Sequence, residues 1–131
     1  MKKVMVFGTF DILHKGHVHM FRQAGKHGDV LIAVIARDST VKKIKKKLPR
    51  LSETKRLAQI KPYVNKAVLG SKSDKYKIIE KFNPDVIALG YDQNSFTKDL
   101  RKELKKRRLN PKIVRLKSYM PKKYKSSKLK R

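Results

Sequence analysis

Continuous apolar runs that alternate with helical patterns constrain the fold of this chain more than any other feature. The clearest strand candidates are Val4–Phe7, Val30–Ala36 and Asp85–Gly90. Short apolar runs of this kind are typical of strands that are buried on both faces of a parallel sheet. Weaker candidates at Ala67–Leu69 and Ile113–Leu116 bring the predicted sheet to five strands.

Helical patterns fill the spaces between these strands. Apolar residues recur at helical spacing from Lys15 to about Gly25, and Ser52 is placed to cap a helix that Pro62 limits. Further predicted elements are a helix from Ser73 or Asp74 to Asn83, an amphipathic helix over 96–109, and a loop or short helix over 41–47. Because strands alternate with helices throughout, the sequence predicts a doubly wound α/β fold: a mostly parallel five-stranded sheet with helices on both faces.

The composition indicates one intracellular domain. A chain of 131 residues can bury one core and not two, so we expect a single domain over 1–131 that ends in a basic segment, 117–131. The chain has no cysteine, and no apolar run approaches the roughly 18 residues of a membrane span. The residues before Gly8 are too few for a secretory signal. We therefore expect a cytoplasmic protein that does not enter membranes.

The net charge is +26, and no acidic residue follows Glu103. Such a field attracts nucleotides, phosphorylated metabolites and RNA without selecting among them. A solvated, lysine-rich surface accounts for the same composition. Charge therefore predicts nonspecific attraction to nucleic acids and identifies no partner by itself.

The predicted topology brings three polar segments to one edge of the sheet. In doubly wound folds the ligand crevice lies outside the carboxyl ends of the strands. Residues 8–17, 37–47 and 90–94 follow three of the predicted strands. All three segments suit a phosphorylated ligand, so the crevice is expected to lie among them.

The segment from Gly8 to His17 has neither of the two familiar glycine-rich phosphate motifs, Gly-x-Gly-x-x-Gly and the Walker loop. It instead places His14 and His17 at the entry of a helix, three residues apart and so on one face. Both imidazoles can point at one oxyanion, and Gly16 leaves room for a ligand near the backbone. The sequence offers no obvious covalent nucleophile here. It therefore favours in-line transfer between phosphates, where positioning and charge stabilisation supply the catalysis.

Two other interpretations of the histidines stay open. His14, His17 and His19 could hold zinc, although the chain offers no cysteine and few carboxylates nearby. Alternatively, His14 and His17 only cap the helix.

The residues Gly8-Thr9-Phe10-Asp11 followed by His14-Lys15-Gly16-His17 resemble the signature of the cytidylyltransferase-like branch of the HxGH nucleotidyltransferase superfamily. Members transfer a nucleoside monophosphate from a nucleoside triphosphate to a phosphorylated acceptor and release pyrophosphate. The resemblance implies a Rossmann-like fold and Mg²⁺, or another divalent cation, bound with the triphosphate. Many members are dimers, so it also admits a homodimer.

Residues 36–45 and 83–93 resemble archaeal-type FAD synthases, which join the AMP of ATP to FMN. The alternative relative is glycerol-3-phosphate cytidylyltransferase, which uses CTP and carries a late motif, Arg-Thr-x-Gly-Ile-Ser-Thr-Thr. Residues 120–128 match only the end of that motif, through Ser126, Ser127 and Lys128. The resemblance therefore favours FMN adenylyl transfer over transfer to glycerol 3-phosphate. An alternative of another class is a basic nucleic-acid-binding protein on a nucleotidyltransferase scaffold.

On the nucleotide side, the resemblance implies that Gly8, Thr9 and Phe10 form the loop around the triphosphate. It also implies that His14 and His17 stabilise the α-phosphate during transfer.

Basic residues are implied to hold the remaining phosphates. Lys42 is assigned to catalysis, and Lys43, Lys45 and Arg56 to acceptor or leaving phosphates. A solvated basic face is the alternative for the three lysines.

The other implied contacts lie in three places. Gly90 and Asp92 would meet the ribose or base. Ser126 and Ser127 would close over the β- and γ-phosphates, or merely cap a frayed end. Asp11, like Gly16, would support the loop, and no protein residue is assigned to a metal.

Overall fold

The computed structural model describes residues 1–90 and 99–117. The elements of these residues follow in chain order: β1 (Lys3–Gly8), α1 (Lys15–Gly25), β2 (Val30–Ile35), α2 (Asp38–Lys45), α3 (Glu53–Ile60), a 3₁₀ turn (Lys61–Tyr63), β3 (Lys66–Leu69), α4 (Lys77–Phe82), β4 (Val86–Leu89), α5 (Leu100–Lys106) and β5 (Lys112–Arg115). Within these residues, none of the helices has the length and apolar character needed to cross a membrane.

The five strands form one sheet in the order β3-β2-β1-β4-β5, and every strand pair is parallel. The predicted Rossmann-like, doubly wound fold is confirmed, and its "mostly parallel" sheet is entirely parallel among these strands. The chain winds outward from β1 to β3 and then returns to the other side of β1 to add β4 and β5. The strand order therefore reverses at β1, which puts the crevice at the carboxyl end of that strand.

Alternate side chains of β1 enter two separate apolar clusters. Val4 and Val6 pack with Phe21 of α1 and Ile60 of α3 on one face of the sheet. Met5 packs on the opposite face with the side chains of α4 and α5: Ile79, Leu100 and Leu104. This two-sided burial explains why β1 is a continuous apolar run, and it confirms helices on both faces.

Two helices begin elsewhere than the sequence indicates. The segment predicted as a loop or short helix over 41–47 is helix α2, which begins at Asp38 because the Glu53 carboxylate accepts its backbone N–H. Helix α4 begins only at Lys77, because the Asp74 carboxylate accepts the Tyr76 N–H and forms a turn first. Residues 96–98, the start of the predicted amphipathic helix over 96–109, lie outside the described part of the chain.

Candidate active site

A cleft of about 1120 Å³ lies at the carboxyl edge of the sheet, where the strand order reverses. Its lining contains parts of all three segments that the topology predicts there. The predicted site residues that line it are Gly8, Thr9, Phe10, Asp11, His14, His17, Lys45 and Gly90. The structure therefore brings together most of the predicted residues that it describes.

The turn after β1 depends on the packing of Phe10. This residue has a left-handed backbone with φ of 49° and is 5% exposed. Its ring packs against Phe21 and is nearly perpendicular to the ring of His17. A Cβ added to Gly8 would lie 2.7 Å from Cζ of Phe10. Gly8 is therefore required by the Phe10 ring, which folds back beneath the turn.

The imidazoles of His14 and His17 are stacked, with 3.9 Å between their ring centroids and an interplanar angle of 21°. His14 caps α1, and its Nδ1 accepts a 3.0 Å hydrogen bond from the Gly16 N–H. Nδ1 of His17 accepts from the His14 N–H at 3.3 Å. A neutral imidazole that accepts through Nδ1 carries its proton on Nε2. Both rings therefore carry an Nε2–H donor, and both residues line the cleft beside the amino end of α1.

Burial lowers the pKa of His17 to about 4, and the neighbouring His14 adds to the shift because two imidazolium charges repel each other. His17 is consequently neutral near pH 7. It can donate one hydrogen bond from Nε2 to a phosphate oxygen without carrying a charge of its own.

Gly16 makes room for a side chain of the protein. A Cβ at this position would lie 2.7 Å from Cε1 and 2.9 Å from Nδ1 of His14. The space that the sequence analysis reserved for a ligand is therefore filled by the His14 ring. The absence of a side chain at Gly16 allows that ring to fold back on the helix end.

Arg56 lies beneath the turn, and its side chain is 0% exposed. Its three nitrogens donate to the Leu51 carbonyl at 3.1 Å, the Thr9 carbonyl at 2.8 Å and the Asp38 carboxylate at 2.7 Å. These contacts differ from the predicted phosphate contact, since a guanidinium enclosed in this way does not face the cleft. We correct its role to that of a positioning residue, which fixes the backbone between β1 and α1.

Asp11 ties the same turn to the segment before α3. Its carboxylate accepts the backbone N–H groups of Arg50 at 2.7 Å and Leu51 at 2.8 Å. Burial by itself would raise the pKa of Asp11, but these two donors and the charges of Arg56 and Arg50 lower it overall. The contacts agree with the predicted loop support.

Residues that the sequence analysis did not select complete this support. Nε2 of Gln59 donates to the carbonyls of Phe10 and Asp11, each at 2.8 Å. Asp38 and Glu53 cap each other's helices, because each carboxylate accepts the backbone N–H of the other residue. The sequence indicates that Glu53 lies in the first turn of α3, where an acidic residue is favourable. Its partner Asp38 lies 15 residues away, so no local pattern predicts their contact.

The predicted lysines separate into two groups. Lys45 lines the cleft, whereas Lys42 and Lys43 are exposed and do not line it. Arg37, which the sequence analysis did not assign, lines the cleft and is held by the Gly70 carbonyl and the Glu53 carboxylate. The catalytic assignment of Lys42 thus gains no geometric support.

The far side of the cleft ends at Gly90, whose carbonyl accepts from Nη1 of Arg115 at 2.8 Å. The backbone N–H and carbonyl of Lys117 pair with the Gln23 amide, which fixes the start of the basic C-terminal segment beside α1. Asp92, Ser126 and Ser127 lie outside the described residues. Over 1–90 and 99–117, no group of three or more histidine and acidic side chains is arranged to hold a metal ion.

The strand order defines a Rossmann-like protein, and two imidazoles at the start of the helix after the central strand are typical of a site that binds phosphate groups. A family model described as "Cytidylyltransferase-like" matches residues 5–131. The chain therefore belongs to the cytidylyltransferase-like family of nucleotidyltransferases, as its motif indicated.

Several curated relatives are archaeal FAD synthases. The chain is 49% identical to the FAD synthase of Aciduliprofundum boonei over 91% of this chain and 80% of that protein. It is 47% identical to the FAD synthase of Methanosarcina mazei over 88% of this chain and 77% of that one. The predicted resemblance to archaeal FAD synthases is confirmed.

Solved structures agree on the fold. The lipopolysaccharide core biosynthesis protein of Thermoplasma volcanium superposes with a TM-score of 0.84 at 41% identity, over 91% of this chain and 98% of that one. The pantoate–β-alanine ligase of Francisella tularensis superposes with a TM-score of 0.65 at 15% identity, over 88% of this chain and 58% of that one. At 15% identity, the second superposition is evidence for the fold alone.

Proposed function

We propose that this protein is an FMN adenylyltransferase, which makes FAD and pyrophosphate from ATP and FMN. The observation that carries the proposal is the pair of Nε2–H donors of His14 and His17 in the cleft. Two such donors beside the amino end of α1 suit a phosphate that gains negative charge during transfer. The archaeal FAD synthases among its relatives support FMN as the acceptor.

The reaction joins two phosphates. A phosphate oxygen of FMN attacks the α-phosphorus of ATP and forms a new P–O bond. The bond from that phosphorus to the oxygen that bridges it to the β-phosphate breaks, and pyrophosphate leaves with the electron pair. No covalent enzyme intermediate is required. The work of the chain is to align the two phosphates and to stabilise the charge on the α-phosphate.

The described residues divide this work. The Gly8–Phe10 turn, held from below by Arg56, forms the wall against which the triphosphate lies. His14 and His17 donate to the α-phosphate oxygens, and the exposed ammonium of Lys45 balances the acceptor or leaving phosphates. Mg²⁺ enters as the MgATP substrate. These residues are consistent with a metal ion that is bound by the triphosphate rather than by the protein. His14 and His17 bring N–H donors, which do not bind a cation, and the Asp11 carboxylate is occupied by backbone donors.

The acceptor and nucleotide are tested together by following pyrophosphate release with ATP or CTP against FMN or glycerol 3-phosphate, each with Mg²⁺. We expect turnover with ATP and FMN, with FAD as the product in chromatography. Turnover only with CTP and glycerol 3-phosphate would instead assign the alternative cytidylyltransferase activity. The double variant His14→Asn with His17→Asn is the control for contaminating activity.

A further inference from the structure

The cleft contains most of the exposed large apolar side chains of the described residues. The five exposed ones are Met1, Ile12, Ile44, Leu48 and Tyr63. Ile12, Ile44 and Leu48 line the cleft, and we call these three residues the apolar rim. Ile44 is 69% exposed and Leu48 58%, so each leaves apolar surface in water that a bound ligand would cover.

The apolar rim occupies one side of the cleft. Ile12 belongs to the turn between β1 and α1, and Ile44 and Leu48 belong to α2 and the segment that follows it. The segment with Ile44 and Leu48 follows β2, and the Asp11 carboxylate ties the turn with Ile12 to Arg50 and Leu51 at the end of that segment. Gly90, by contrast, follows β4 on the opposite side of β1. His14 and His17 follow the central strand, so the phosphate-binding centre lies between the two sides.

Basic residues alternate with the apolar rim along the same segment. Lys45, Lys47 and Arg50 line the cleft together with Ile44 and Leu48. This side therefore offers an apolar surface next to positive charge. The whole cleft measures about 1120 Å³, which is at the upper end of the roughly 300–1,000 Å³ of pockets for small molecules.

We propose that the apolar rim binds the isoalloxazine ring of the flavin acceptor, and that Lys45 and Lys47 hold its phosphate near the two histidines. This inference rests on the proposed function and adds the part of the cleft that selects the acceptor. The isoalloxazine is a planar three-ring system, and its apolar faces and dimethylbenzene end match the exposed side chains of Ile12, Ile44 and Leu48. A small phosphorylated alcohol such as glycerol 3-phosphate has no apolar part to cover them.

The test separates ring binding from phosphate binding by comparing FMN with riboflavin, which lacks the phosphate. Flavin binding without ATP is followed by the change in flavin fluorescence. The double variant Ile44→Ser with Leu48→Ser should weaken the binding of both flavins by about 10- to 100-fold, because burial of two apolar side chains is lost. Lys45→Ser should weaken the binding of FMN and leave that of riboflavin unchanged.

Steady-state kinetics supply the second readout and the control. The apolar-rim variant should raise the KM for FMN by a similar factor and leave the KM for ATP within about twofold. Tyr63→Ser removes a comparably exposed apolar side chain outside the cleft lining and should change neither KM.

Two results would overturn the inference while leaving the proposed function intact. One is FAD synthesis by the apolar-rim variant with an unchanged KM for FMN. The other is a wild-type protein that is a dimer in size-exclusion chromatography and a variant that is a monomer with unchanged flavin affinity. The apolar rim would then be an interface between two copies of the chain. A wild-type protein that makes no FAD would instead reject the proposed function.

Discussion

Nη1 of Arg56 donates a 2.8 Å hydrogen bond to the carbonyl oxygen of Thr9, across 47 residues of sequence. The bond joins a fully buried guanidinium in α3 to the turn that precedes the two histidines. The same guanidinium also pairs with Asp38 at the start of α2. One side chain therefore links three segments around the cleft.

Arg56→Gln should lower the free energy of unfolding by about 3 kcal/mol, because it removes the buried partner of Asp38 and leaves the Thr9 carbonyl without its donor. Urea denaturation followed by circular dichroism measures this loss. The exposed Arg22, changed to Gln, should alter stability by no more than about 0.5 kcal/mol. Equal losses in the two variants would contradict the positioning role of Arg56.

His14→Asn should separate catalysis from capping. Asparagine is a favoured N-cap and can accept the Gly16 N–H, so the melting temperature should stay close to that of the wild type. The Nε2–H donor is lost, and the rate of pyrophosphate release should fall by about 10²- to 10³-fold. His14→Ala should lose both the rate and about 1 kcal/mol of stability. A fully active His14→Asn enzyme would reduce His14 to a structural cap.

Gly16→Ala should impair the reaction through the His14 ring, because the new Cβ would lie 2.7 Å from Cε1 of that ring. We expect kcat to fall by about 10²-fold, as for other small displacements of a reacting group. Gly25→Ala is the matched control in the same helix, since a Cβ there meets nothing within 4 Å. It should raise the free energy of unfolding by about 0.5–1 kcal/mol with kcat unchanged.

Acid should destabilise the fold through His17. Its pKa is about 4 in the folded chain, against about 6.5 in the unfolded chain. As the pH falls from 6.5 towards 4, the unfolded chain binds a proton that the folded chain does not, so the free energy of unfolding decreases. The full shift corresponds to roughly 3 kcal/mol, and we expect about 2 kcal/mol because solvent screens the partly exposed ring. Urea denaturation between pH 4 and 7.5 measures the effect. His17→Gln should flatten the pH profile and the exposed His27→Gln should not; parallel profiles for wild type and His17→Gln would contradict the shift.

Binding to RNA should be electrostatic and without sequence preference, given the net charge of +26. Fluorescence anisotropy with single-stranded RNA should show the affinity falling by about three orders of magnitude between roughly 50 and roughly 200 mM salt. His14→Asn should bind RNA as the wild type does. Affinity that resists salt and depends on sequence would favour the alternative of a nucleic-acid-binding protein.

Patterns that are local in sequence predicted the strands, most of the helices and the edge where the site lies. Val30–Ile35 is apolar throughout because both faces of β2 are buried, and a continuous apolar stretch of this length predicts such a strand. His14, Gly16 and His17 lie within four residues, so their common placement at one helix end follows from helical geometry. The start of α2 at Asp38 could not be predicted from the local sequence, because the group that fixes it is the Glu53 carboxylate of another helix.

The sequence by itself determined the doubly wound fold, the family and the histidine pair, because each depends on short-range periodicity or on a contiguous motif. Only the tertiary structure decided that Arg56 lies beneath the turn, that the His14 ring fills the space beside Gly16, and that both Nδ1 atoms are acceptors. These features depend on which side chains meet across long stretches of chain, and on which way a ring turns. Such contacts are fixed by the packing of the whole domain.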